Sequence, residues 1–170
     1  RPTDNIRMNK ELAGGSLMDV VCYPITFARY VFGREPVAVQ ANCRIDADYG
    51  VDTRASILLD FGDGATAALS GGFDAPVGQG AHIFGSEGHI VLTNPCHPAE
   101  ESAFTLHKDD DEEIFSFTTG SKPFTPAIDH FNDCILDGTE LMATADLAAG
   151  TLKIIAAVLE SSRSGQRIAL

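Results

Sequence analysis

Asp19 and Tyr23 are the two residues of this sequence whose types and spacing offer the most chemistry. They lie in Gly14-Gly15-Ser16-Leu17-Met18-Asp19-Val20-Val21-Cys22-Tyr23-Pro24-Ile25, where Leu17, Val20, Val21, Ile25, Ala28, Val31 and Phe32 recur near helical spacing. Residues four apart on a helix project from one face, so a carboxylate and a phenol share one spot. A positioned phenol passes a proton to and from a hydroxyl. Its ordinary pKa, about 10, makes it an inefficient base at neutral pH unless a cation assists. Pro24 follows directly; it lacks an amide hydrogen and clashes with the carbonyl of Val20, so the helix is predicted to loosen beside the pair and open a cleft. The same residues also allow a plainer account. Ser16 and Asp19 read as a Ser-x-x-Asp capping box, Tyr23 as a half-buried helix tyrosine, and Gly33 as the left-handed stop.

The rest of the chain must position that helix. Residues 1–13 are polar and read as an irregular approach, with Arg7 and Asn9 its chemically notable members. Residues 37–45 alternate, Val37, Val39, Ala41, Cys43 and Ile45 against Gln40, Asn42 and Arg44, which predicts a strand buried on one face. Strands over 53–61 and 65–73 flank Gly62-Asp63-Gly64, which is hairpin chemistry because Asp-Gly tolerates positive φ. Shorter strands follow at 81–84, 89–93, 104–107 and 114–118, then a short helix ending at Gly138, a longer one from about Thr144 to Gly165, and an edge strand within 167–170. A helix, a run of strands and two helices make an α+β order. The expectation is one domain over residues 1–170, an open, mainly antiparallel β-sheet with helices packed on one face.

Composition excludes several functions. Twelve Lys and Arg stand against 24 Asp and Glu, a net charge of −12 that repels nucleic acid and anionic membranes. No apolar run is long enough to span a bilayer. Four scattered cysteines without a C-x-x-C read as reduced thiols of a cytoplasmic protein. His130, Asp133 and Cys134 have helical spacing but match no zinc pattern, so no metal is expected. The acidic run 109–113 lacks the interleaved ligands and glycine of a calcium loop and reads as a solvated hairpin tip. No G-x-S-x-G elbow supports a hydrolase. The turn at 62–64 carries a carboxylate where a phosphate would sit.

Taken in order, the motifs resemble the Gfo/Idh/MocA family of oxidoreductases. The run from Gly14 to Tyr23 looks like the tyrosine version of the family's Gly-Gly-x-Leu-x-Asp-x-Gly-x-His/Tyr signature. Phe32-Gly33-x-Glu35-Pro36-Val37, Phe61-Gly62-Asp63-Gly64-Ala65, Ile83-Phe84-Gly85-Ser86-Glu87-Gly88-His89-Ile90 and Leu159-Glu160-Ser161-Ser162-x-x-Gly165 follow in the expected sequence. One departure is Val21, which stands where the signature has glycine and so challenges close backbone approach at that point. The resemblance implies the substrate-binding and oligomerisation domain of an NAD(P)-dependent dehydrogenase, with the N-terminal nucleotide-binding domain absent from this sequence. It implies hydride transfer between NADP or NAD, held mainly by that other domain, and a sugar, polyol or related cyclic secondary alcohol. Tyr23 and Asp19 would be catalytic and Arg7 and Asn9 would bind substrate, while a lysine of the other domain would assist the phenol. A homodimer or tetramer through the open sheet face is implied, and the fragment alone is expected to be inactive. The alternative is a non-catalytic ligand-binding and dimerisation module of the same fold.

Overall fold

The period-two segments form long antiparallel strands: β1 (Ala38–Ile45), β2 (Asp52–Gly62) and β3 (Ala65–Gly72). The computed structural model describes residues 5–74, 78–97, 99–118 and 124–170. These fall into two compact units, one of residues 5–74 with 144–170 and the other of residues 78–143.

In the first unit the sheet runs β3-β2-β1-β8, the last strand being Ile168–Ala169, so the expected edge strand at the chain end forms. Asp63 and Gly64 take φ of +54° and +80° at the β2–β3 reversal, the conformation for which Asp-Gly was read as a hairpin. Helices α1 (Cys22–Phe32) and α3 (Ala145–Ser164) end on Gly33 and Gly165, both left-handed, and Thr144 caps α3 by accepting from the Leu147 amide. Their apolar stripes meet one face of the sheet. Val21, Ile25, Val39, Leu59 and Val158, each no more than 1% exposed, form the centre of that core. Arg29 of α1, 6% exposed, ties it to α3 through the Leu147 carbonyl at 2.6 Å and the Thr151 hydroxyl at 2.7 Å, with Glu35 as counter-ion. Its guanidinium lies on Gly150, where a methyl group would come within 2.3 Å of Nη2. The opposite face, with Gln40, Asn42, Ser56, Leu58 and Ser70, is exposed.

The β1 edge beyond β8 is closed by α3. Ser161 Oγ accepts from the Ala41 amide at 3.0 Å and Ser162 Oγ from the Cys43 amide at 2.8 Å. Val37 and Ile45, expected on the buried face, are 49% and 52% exposed. Val37 immediately precedes β1, and Ile45 ends it beyond a bulge at Arg44/Ile45 that turns it away.

The second unit holds the sheet β4-β5-β6-β7, made of Ala81–Phe84, His89–Leu92, Glu101–Lys108 and Asp111–Thr118, and the helix α2 (Thr125–Leu136). The acidic run divides between a turn at Asp109, φ +54°, and the start of β7. Phe84, His89, His107 and Glu112 are directly opposite one another in successive strand pairs and cross all four strands, the two imidazoles stacked at 4.5 Å. Phe131 and Ile135 of α2, whose helical spacing around Cys134 predicts a core-facing stripe, are 56% and 65% exposed, and no residue of that helix is buried. The antiparallel α+β architecture is as expected, its strands divided between two four-stranded sheets.

Candidate active site

The site starts from how the helix carrying Asp19 and Tyr23 is begun. Ser16 does not cap it. Its backbone is already helical, φ −69° and ψ −27°, and its hydroxyl donates to Asp52 Oδ2 at 2.6 Å. The same oxygen accepts the Leu17 amide at 2.7 Å, so the cap is a carboxylate from β2, favourable at the positive end of a helix. Ser16 is fully buried and Asp52 is 6% exposed. Gly15 makes room for that carboxylate: its φ is +121°, and a methyl group there would come within 2.2 Å of Asp52 Oδ1. Gly14 meets the carbonyls of Arg7, Asn9 and Ile6 at 2.7–2.8 Å from any added Cβ. The Gly14 and Gly15 amides donate to the carbonyls of Asn9 and Arg7 at 2.9 and 2.8 Å. The two glycines therefore clamp the approach segment, two 3-10 turns at Ile6–Met8 and Lys10–Leu12, against the helix start.

Because Asp52 caps the helix, the Asp19 carboxylate serves elsewhere. It pairs with Arg7, Nε to Oδ2 at 2.7 Å. That hydrogen bond, with the carboxylate's charge, raises the Arg7 guanidinium above its already high ordinary value. Asn9 does not join them through its side-chain oxygen, which accepts the Glu11 amide at 3.0 Å and caps the second turn. Tyr23, 47% exposed, follows on the same stretch of helix as Asp19. Of the four residues singled out by sequence, the structure thus joins Arg7 to Asp19, carries Tyr23 one turn on, and commits the Asn9 carboxamide oxygen to its own turn.

The loosening expected at Pro24 takes the form of a π-turn over Leu17–Val21. The Cys22 amide reaches back to the Leu17 carbonyl, and the wider turn relieves the crowding that the proline ring imposes on the preceding turn. The Thr26 hydroxyl supplies a side-chain bond to the Cys22 carbonyl at 2.9 Å. Val21 is accommodated from across the interface: it is fully buried, and opposite it β3 carries Gly71, where an added methyl group would be 3.1 Å from Val21 Cγ2. The close approach is kept, with the glycine on the strand instead of the helix.

Two supporting residues, Asp52 and Gly71, escaped the sequence reading. A partial signal existed for the first, since an acid opening a strongly β-forming run is out of character for a strand. Elsewhere, His130 Nε2 accepts the Met142 amide at 3.1 Å and lies 3.5 Å from Cys134 Sγ. Among the described residues no three His, Cys, Asp or Glu side chains converge on a common point, and no helix is long and apolar enough to cross a membrane.

The family model of the GFO/IDH/MocA C-terminal domain matches residues 1–91. D-xylose 1-dehydrogenase (NADP(+)) 2 of Haloferax volcanii is 28% identical over 169 residues, covering 98% of this chain and 51% of its own length. The dTDP-3,4-didehydro-2,6-dideoxy-alpha-D-glucose 3-reductase of Streptomyces violaceoruber is 36% identical over 99 residues, 58% of this chain and 29% of its own. Among solved structures, the aldose-aldose oxidoreductase of Caulobacter crescentus complexed with glycerol superposes with a TM-score of 0.86 at 27% identity, over all of this chain and 52% of that one. The 3-ketoreductase KijD10 of Actinomadura kijaniata, TM-score 0.83 at 23% identity over 95% of this chain and 50% of its own, shares the fold. The chain spans about half the length of the curated relatives it matches. With the family's domain matched over more than half of its residues, this chain belongs to the GFO/IDH/MocA family and carries that family's C-terminal domain.

Proposed function

We propose that this chain is the substrate and assembly domain of an NAD(P)-dependent oxidoreductase that moves a hydride between nicotinamide and a sugar, polyol or related cyclic secondary alcohol. The observation that carries the reading is the helix start at which Asp52 does the capping, which leaves the Asp19 carboxylate for other work on the turn before an exposed Tyr23. The glycine-rich turn at 62–64 does not fit a nucleotide's phosphates: it is a hairpin reversal, and Asp63 presents a carboxylate there to Arg34. The nicotinamide site and the assisting lysine belong, on this reading, to the rest of the protein. Nicotinamide supplies the hydride acceptor and donor.

This chain supplies the hydroxyl end of the reaction. As phenolate, the Tyr23 oxygen takes the hydroxyl proton in oxidation and becomes neutral; in reduction the phenol returns that proton. Asp19, with an oxygen beyond its bond to Arg7, accepts a hydrogen bond from the substrate hydroxyl or the phenol and holds it in line. The tyrosine form of the signature, the sugar-oxidoreductase names of the relatives and the family membership all favour this reading. Partner copies would meet through the uncovered face of the first unit's sheet, giving a homodimer or a tetramer of dimers, and this chain alone would be inactive. In the whole protein, Tyr23→Phe is expected to lower kcat roughly 100-fold or more with KM largely kept. Unchanged turnover removes the phenol from the mechanism. A whole protein with no turnover on any sugar or polyol favours the ligand-binding module instead.

A further inference from the structure

The geometry points to Arg7 as the residue that positions Asp19 for proton transfer, acting through the carboxylate and making no bond to substrate itself. This rests on the reading above, in which Asp19 and Tyr23 serve the hydroxyl of the substrate. Resemblance gives Arg7 the part of a substrate ligand; in the structure its Nε lies on Asp19 Oδ2 at 2.7 Å.

An arginine on a polar approach segment is ordinarily a mobile side chain on a mobile backbone. Here the backbone is fixed on both sides of the residue. Its amide donates to Asn5 Oδ1 at 3.0 Å, its carbonyl accepts the Gly15 amide at 2.8 Å, and the next residue, Met8, is 4% exposed. Gly15 in turn is locked over Asp52, which caps the helix that carries Asp19. Arg7 and Asp19 are therefore held in one frame by the Gly14-Gly15 clamp, and their bond has a fixed direction.

Stability does not account for so well anchored a pair. The two side chains are 52% and 32% exposed, and an ion pair so open to water contributes little to folding. What the pair accomplishes is local. A carboxylate not engaged in capping is free to turn about its side-chain bonds; the guanidinium takes one oxygen and leaves the other with a defined direction for a hydroxyl. The positive charge also balances the carboxylate one turn from the phenol, so the negative charge that Tyr23 carries before it takes the hydroxyl proton, or after it has returned one, is not opposed by an unpaired anion.

The test compares Arg7→Gln, Arg7→Lys, Asp19→Asn and the Arg7→Gln/Asp19→Asn double variant in the whole protein, by steady-state kinetics with D-xylose and NADP as probes and by thermal melting. Arg7→Gln is expected to lower kcat roughly 10- to 100-fold with KM within about twofold, and Arg7→Lys to recover most of the loss. In the Asp19→Asn background the same change should alter kcat by less than about twofold, because its target has already been disabled. A raised KM at normal kcat makes Arg7 a substrate ligand and overturns the proposal. So do losses that multiply in the double variant, or a kcat loss that tracks a fall in melting midpoint. If Asp19→Asn and Tyr23→Phe lose activity while Arg7→Gln does not, this inference alone fails. If none of the three affects turnover, the reading beneath it fails as well.

Discussion

The departure at Val21 gives a quantitative test of how this domain holds its helix against its sheet. Replacing Gly71 with alanine puts a methyl carbon 3.1 Å from Val21 Cγ2 and 3.9 Å from Val20 Cγ1. Carbon pairs prefer about 3.5 to 4.0 Å, so the first contact is roughly 0.4 to 0.9 Å too close. Val21 has no exposed surface into which to move, and a β-branched side chain in a helical backbone has little rotamer freedom with which to give way. Overpacking of this kind costs about 1 to 3 kcal/mol, and about 0.5 to 1 is returned by removing a flexible glycine from a strand interior. A net loss near 1.5 kcal/mol is expected. Val21→Ala alone removes two methyl groups from the core, about 1.6 kcal/mol of transfer free energy, and more with the cavity. In the double variant the alanine methyl at 71 occupies space that Val21 has left, so the two losses should fall short of their sum by about 1 to 1.5 kcal/mol. Urea unfolding followed by far-UV circular dichroism, with m unchanged, measures all three. Additivity within about 0.5 kcal/mol, or a Gly71→Ala protein as stable as the parent, would show that the two residues do not compensate one another.

Asp52→Ala removes both bonds that the buried carboxylate makes and leaves the Ser16 hydroxyl and Leu17 amide without an acceptor, for a loss of about 3 kcal/mol. The melting midpoint should fall roughly 6 to 12 °C, with Asp52→Asn intermediate because one acceptor oxygen remains; a fall under about 2 °C for the alanine variant would show that Asp52 is not the cap. The sheet-face assembly is checked by sedimentation of the whole protein at micromolar concentration, where a mass of two or four chains is expected and a mass of one chain refutes it.

Elements whose cause is local were legible in the sequence. Gly33, Gly165, Thr144 and Asp63-Gly64 each act through their own dihedral angles or a bond three residues away, and each does what its neighbourhood implies. The helix start misled for the opposite reason. Ser16 and Asp19 have the spacing of a capping box, but Asp52, 36 positions after Ser16, takes the serine hydroxyl and the first amide, and only the folded sheet brings it there. Gly71 is likewise unremarkable in sequence and gains its meaning from Val21 across the core. The exposed apolar side chains of α2 have the periodicity of a buried face, and periodicity does not say whether the covering surface belongs to the same chain. The pair of chemical groups was legible through type and spacing; the cation that holds one of them was seen, but its target was not.

The serine pair at the end of α3 restricts how copies of this protein can associate. A sheet edge with idle amides invites another strand, and the resulting ribbons have no natural end. On β1 the amides of Ala41 and Cys43 are already held by the hydroxyls of Ser161 and Ser162, and the Ser161 hydroxyl is anchored in turn on the Gln166 carbonyl at 2.6 Å. Extension of the sheet past that edge would have to break these bonds first. Growth in the plane of the sheet is blocked at that edge.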